Sequence, residues 1–420
     1  MILGPPRMKA MRLKFVLLGL LLGLHVLLGS FPQIMADFGV GRSGIWFRDM
    51  HAMLAASDAA REGLDPFVSN PYDLGGERHI YPDWWFALDR LALGRADSYW
   101  LGLVVIGLFW LAVLAVLPLR SGRELGWSLL VCASPPFWLA VNRANPDLLI
   151  FALLTPVVPL LLHRRPWVRF LPPGLVALAT GLKFFPALAG VAFLAPAGTR
   201  REWWQRWLLI AVLVGFLAWS LTDDIQRYLA AGWIARGLFS FGAAVIPLNF
   251  GWNAEACVTL ARLTGAALVL WAVLRRPDAF LRQLDEREQR FGVMGAAVLA
   301  GMFFLTVGYL YKIIFAVWLL PVLLSLSGAA GPWRRRAQLA LLCLVAMVWI
   351  EGLVCAGLSL LPAHSAGSGG VLMRRLAATL CGGLAWGFVL PTVIFFGAQL
   401  RSYWQQWQGS ASPAGPAQPR

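Results

Sequence analysis

The sequence predicts an all-α polytopic membrane protein, and three observations carry that prediction. Of the 420 residues 59% are hydrophobic and only 14% charged, where a soluble globular chain carries roughly 25% charged residues. The apolar residues gather in runs of membrane-helix length, and mean hydropathy is +0.67. The Lys and Arg residues behind the net charge of +15 sit in short clusters between those runs. That is the placement of the positive-inside rule, not of one basic face, so nucleic acid is not expected as a partner.

Taken in order, the chain divides into about twelve transmembrane or half-spanning segments. Arg7, Lys9, Arg12 and Lys14 precede the first, 15–31, which reads as an uncleaved helix because Ile34-Met35-Ala36 is a poor cleavage site. The polar stretch 32–97 comes next as the one large loop. In it Trp46, Met50, Met53 and Leu54 recur at helical spacing, and Asp83-Trp84-Trp85-Phe86 opens a second such stretch; both suit helices lying in the interface. Segments 99–117, 127–141 and 148–162 succeed it, the last two parted by an Asn142 to Asp147 turn in which Pro146 disfavours helix.

The run 171–194 carries Lys183 near its middle. A lysine at the bilayer centre costs roughly 2.5–3.5 kcal/mol on insertion scales. Two short helices meeting at Lys183-Phe184-Phe185-Pro186 avoid that. Segments 207–221, 256–274, 292–308, 313–326, 337–361 and 376–398 complete a single domain over 1–408, with a Ser-, Pro- and Gly-rich tail over 409–420 expected to be disordered.

With the N-terminus inside, most Lys and Arg fall on the cytoplasmic side, although Arg374 and Arg375 run against the scheme. The large loop, with ten acids against six bases, comes out extracytoplasmic. So do Asp37, the Asn142 to Asp147 turn, Lys183, Asp223-Asp224 and Tyr311-Lys312.

That shared face supplies the candidate residues. Asp37, at the head of the loop, can act as general base toward a hydroxyl or merely cap a helix; Asp49, Asp223 and Asp224 are rivals for the role. Lys183 can bind and stabilise a lipid phosphate, or simply snorkel. Arg143 offers a fork for phosphate, and Asn145 and Asp147 suit sugar hydroxyls, though Asn-Pro-Asp is also an ordinary turn. His79, beside Tyr81, can contact a sugar, and Tyr309, Tyr311 and Lys312 fit the same layer. Glu351 and Arg262, inside apolar segments, could pair with each other. The five cysteines show no CxxC pairing, the five histidines no ligand spacing, and the loop no Asp-x-Asp pair. Free buried thiols are therefore expected, and no metal or other cofactor.

These pieces resemble the GT-C glycosyltransferases, and among them glycosyltransferase family 87. The resemblance rests on Asp37-Phe38, Gly63-Leu64-Asp65-Pro66-Phe67, Tyr81-Pro82, Asn145-Pro146-Asp147-Leu148-Leu149 and Gly181-Leu182-Lys183-Phe184-Phe185-Pro186, in that order over about the first 200 residues. Asp83 stands where the family has a second proline, and Tyr309-Leu310-Tyr311-Lys312 where it has an aromatic-His-Tyr. The resemblance implies a GT-C-like fold, Asp37 as catalytic base, a polyprenyl-phosphate sugar donor and a glycan or glycolipid acceptor. It also implies inverting transfer of a mannose- or arabinose-type sugar at the outer face of a bacterial inner membrane. A transporter or lipid flippase, with polar residues at mid-depth, is the alternative, and an inactive scaffold of the same fold a third.

Overall fold

The computed structural model describes residues 5–40, 46–195, 200–231, 238–275, 279–360 and 368–411. Among these the chain is almost wholly helical. The one sheet is a two-residue antiparallel ladder pairing Ser240 with Tyr309 and Phe241 with Gly308. Helix dominates because a bilayer offers no water to satisfy backbone polar groups, so each segment must satisfy its own.

Five helices are long and apolar enough to cross a membrane: Met8–Ser30, Arg95–Val116, Ala254–Leu274, Pro332–Ser359 and Gly369–Gln408. Two pairs are bent, Gly122–Cys132 with Pro135–Asn142 by 59° and Leu310–Trp318 with Leu320–Gly328 by 60°; counting each pair as one span gives seven. This corrects the expectation of about twelve. Proline is much of the reason. Pro135, Pro146, Pro166, Pro172 and Pro186 each stand at the start of a new helical segment, where a missing amide donor is tolerated. They leave Pro146–Leu161, Trp167–Leu182 and Phe185–Leu194 shorter than a span.

The run 171–194 breaks where a lysine at mid-membrane would be costly. Helix Leu171–Leu182 stops, Lys183 is extended (φ −167°, ψ 134°), and a 3-10 segment Phe185–Leu194 comes after it. Helix Glu286–Leu305 forms the centre of the core and is buried all round from Phe291 to Ala300. Gly295 lets a neighbour approach closely: a Cβ there would stand 3.0 Å from the Cβ of Trp318, which itself stacks on Phe151 at 4.8 Å. Arg262 and Glu351 do not pair. Arg262 Nε donates to Leu305 O at 3.2 Å, and Glu351 accepts from the Phe239 amide. All five cysteines are free and buried.

The loop helices do not lie loose in an interface. Helix Arg48–Arg61 buries Asp49, Met50 and the whole run from Met53 to Ser57. Its first amides, which have no partner within a helix, dock elsewhere: Phe47 N–H donates to Asn142 O at 2.7 Å and Asp49 N–H to Arg143 O at 3.0 Å. The loop's 3-10 segment Asp83–Leu91 is tied by Trp85 Nε1 donating to Leu182 O at 2.9 Å and by Arg61 Nε donating to Asp89 at 2.5 Å. At the other end of the chain, helix Ser368–Ala411 runs into the stretch read as a tail, and 412–420 lie outside the described residues.

Candidate functional site

The loop helix, the Asn142 to Asp147 turn, the break at Lys183 and the segment after the short ladder meet around one cavity of about 730 Å³. Its lining is mixed in chemistry. Phe184, Phe185, Ala187, Leu188, Met302 and Leu305 are the apolar contribution, while Arg48, Asp49, Asn70, Asp73, Glu77, Arg78, His79, Tyr81, Arg143, Lys183, Tyr309, Tyr311 and Lys312 are the polar one. Ala187 and Leu305 among the apolar residues, and Glu77 and Arg78 among the polar ones, are exposed.

Local structure explains why these side chains converge. Asn145 caps helix Pro146–Leu154 by accepting from Asp147 N–H at 2.9 Å, which fixes Asp147 at the turn. Docking of the Phe47 and Asp49 amides on the same turn brings the Asp49 carboxylate beside it. Arg143 then donates from Nε at 2.8 Å and lies at 2.5 Å through its Nη2, both to Asp49 Oδ1, while Asn145 Nδ2 donates to Asp49 Oδ2 at 2.5 Å. Burial works against the charged Arg143 guanidinium, but the Asp49 carboxylate outweighs it and holds the arginine above its ordinary pKa. Asp147, fully buried, pairs through Oδ1 with Lys183 Nζ at 2.6 Å and leaves Oδ2 without a partner.

Lys183 and Lys312 both approach Phe185, with their ammonium nitrogens 5.7 and 6.0 Å from its ring centre. Lys183 also stands 5.3 Å from the Tyr81 ring. Lys312 folds over Gly308, where a Cβ would collide with Nζ, so this glycine makes the close approach possible. The Tyr309 and Tyr311 rings lie 5.5 Å apart. Desolvation, then the Asp49 and Asp147 carboxylates, raise the Tyr81 phenol well above its ordinary value, so it stays a neutral phenol. His79 is buried among Phe67, Tyr81 and Phe86, and burial pushes its pKa down to about 4 despite the nearby Asp83.

Of the residues singled out from sequence, Lys183, Arg143, Tyr81, His79, Tyr311 and Lys312 line the cavity, and Asn145 and Asp147 stand directly behind it. Asp37 is not brought to it. It ends the short helix Pro32–Asp37, half-buried, and accepts from Gln33 Nε2 at 3.1 Å. Gly39, two residues on, lies against Phe239 and Cys355. Asp223 and Asp224 are also absent from the lining; Asp224 receives Asp83 N–H at 3.2 Å and lies 3.4 Å from Arg227. Asp49, named only as a rival base, is the carboxylate on the cavity that is held by the arginine and the amide. Its sequence signal was position: Asp49 precedes Met53 and Ala56 by four and seven residues, putting an acid on the buried stripe. Arg48 and Asn70 gave no such signal.

A paired carboxylate beside cations and an apolar wall can bind an amphiphilic anion and take a proton from a hydroxyl held next to it. No protein family, curated protein or solved structure matches the chain.

Proposed function

We propose that the chain is a membrane glycosyltransferase that moves a mannose- or arabinose-type sugar from a polyprenyl-phosphate donor to an acceptor hydroxyl, with inversion, on the extracytoplasmic face. The observation that carries this reading is the mixed lining of one cavity: apolar residues, with Ala187 and Leu305 exposed, together with polar ones that include two lysines close to Phe185. The polyprenyl chain lies along the Phe184 to Leu188 and Met302 to Leu305 wall. Its phosphate sits between Lys183 and Lys312.

Asp49, not Asp37, is the base in this reading, because it is on the cavity. It takes the acceptor's proton as the acceptor oxygen attacks the anomeric carbon. The bond from that carbon to the phosphate oxygen breaks, its electron pair stays on the phosphate, and Lys183, Lys312 and Arg143 stabilise the charge. A phosphate is a good leaving group, so a carboxylate held by an arginine is base enough.

The charge distribution supports the outward orientation. Arg120, Glu288, Arg287 and Arg290 gather at the start of helix Glu286–Leu305, whose far end walls the cavity. Under the positive-inside rule the arginine end faces the cytoplasm of a bacterial inner membrane. A transporter reading finds less support, since Glu351 and Arg262 are each spent on backbone groups and do not face the cavity.

Transfer by purified protein from a panel of polyprenyl-phosphate sugars tests the reading. Wild type is expected to transfer from at least one donor, and Asp49→Asn to lose about 10²–10⁴-fold, the range for a general base. Asp37→Asn should keep its rate. No transfer from any donor, or the reverse ranking of the two variants, overturns the assignment.

A further inference from the structure

Glu351 is a carboxylate in the middle of the apolar helix Pro332–Ser359, 1% exposed, with no cation to pair with among the described residues. Such a group is expensive in a membrane and is retained where it does something a leucine cannot. It reaches a backbone amide, with the Cys381 thiol also beside it. Glu351 Oε2 accepts the N–H of Phe239, a residue held at φ 58° in the left-handed region. For a bulky residue that conformation is costly and persists only when its surroundings impose it.

Phe239 leads directly to the cavity. Its carbonyl accepts Leu310 N–H at 2.5 Å, Ser240 and Phe241 pair with Tyr309 and Gly308, and Ala243 N–H donates to Phe303 O at 2.7 Å. The ladder therefore clamps the chain directly before Tyr311 and Lys312. On the other side Gly39, at φ 76°, lets the Phe239 ring and Cys355 approach: a Cβ there would stand 3.0 Å from each. The glutamate is long enough to reach the turn from a membrane helix, and its amide acceptor fixes the turn's peptide plane.

We propose that Glu351 is a positioning residue, which acts through Phe239 and the Ser240–Phe241 ladder to set Lys312 and Tyr311 on the phosphate side of the cavity. The link from Glu351 to the ladder is independent of any reaction. Its effect on phosphate binding rests on the glycosyltransferase reading.

The experiment uses full-length protein in nanodiscs and hexyl phosphate as the probe, with Glu351→Ala and Glu351→Gln as variants. Glutamine keeps an oxygen for the Phe239 amide; alanine does not. Phe388→Ala, a cavity-forming change in the core, serves as the control for a general loss of stability. Two readouts are taken: hexyl phosphate affinity, and hydrogen exchange of the peptide covering 308–312. Glu351→Ala is expected to weaken affinity about tenfold, the scale of one lost charge-assisted hydrogen bond, and to speed exchange at Leu310. Glu351→Gln should restore both, and Phe388→Ala should change neither. Unchanged exchange in Glu351→Ala, or an equal effect of Phe388→Ala, overturns the proposal. If wild type binds no hexyl phosphate, the phosphate reading fails, and exchange alone decides for or against Glu351.

Discussion

His79 and Asp224 show how single side chains tune the loop against the membrane helices. His79 titrates near 4 when folded against an ordinary 6.5, so the unfolded loop binds the extra proton between those values. Stability contributed by its neutral form is full above pH 6.5 and is lost as pH falls toward 4, about 2 kcal/mol of it by pH 5. Asp224 runs the other way. Burial and then Asp83 raise its carboxyl to about 6, so the folded state keeps a proton that the unfolded state releases, and its contribution falls as pH rises from about 4 to 6. Limited proteolysis of the 62–82 loop at pH 7 and pH 5 should therefore show His79→Phe less acid-sensitive than wild type, and Asp224→Asn more acid-sensitive than wild type. Equal pH profiles in all three proteins would contradict the assignment of both groups. At this scale the sequence offered residue types without their neighbours. Lys183 stood out because a cation is costly in an apolar setting, and Arg143 because it sits in a polar cluster at a proline turn. Asp37 and Asp49 were both acids in one loop, and what separates them is the docking of the Phe47 and Asp49 amides on the 142–143 carbonyls, a contact across about a hundred residues that no local pattern encodes.

Among the elements, the break between Leu171–Leu182 and Phe185–Leu194 was the most legible, because cost and proline pointed to the same place. Its partner across the space was not. Gly181 carries no Cβ where the Trp84 indole lies over it, so the loop's 3-10 segment seats directly on the end of the helix. Gly181→Ala would drive a methyl into that ring. Overpacking of this kind costs roughly 1–3 kcal/mol, so a lower melting temperature and faster hydrogen exchange over 83–91 are expected. Gly190→Ala is the comparison, since its Cβ would meet Phe193 no closer than 3.9 Å, and it should melt as wild type. The helix Arg48–Arg61 was legible by period. That it docks in the protein rather than in the interface was not, because amphipathic spacing is blind to what covers the apolar face.

The molecule as a whole is a helical membrane protein, as composition indicated, yet hydropathy overcounted its spans. Short apolar segments buried by protein and segments crossing lipid have the same composition, and only packing tells them apart. The separation of charge is a property of the whole: an arginine-rich end at Arg120, Arg287 and Arg290, and a cavity at the far end of the same central helix. Labelling from outside intact cells with a membrane-impermeant maleimide checks the proposed orientation. The five native cysteines are buried and should stay silent. Val68→Cys, at a position 77% exposed on the loop, should react directly. Arg335→Cys, at the opposite end, should react only after the membrane is opened. The reverse pattern would invert the proposed topology.

The bond between Lys183 and Asp147 bears on how such an enzyme would let go of what it makes. The lysine does not wait as a bare charge: a fully buried aspartate already holds it at 2.6 Å. On the proposed reading an arriving phosphate would exchange one counter-ion for another, and Asp147 would compete with it for the lysine. A cavity so arranged would favour turnover over retention.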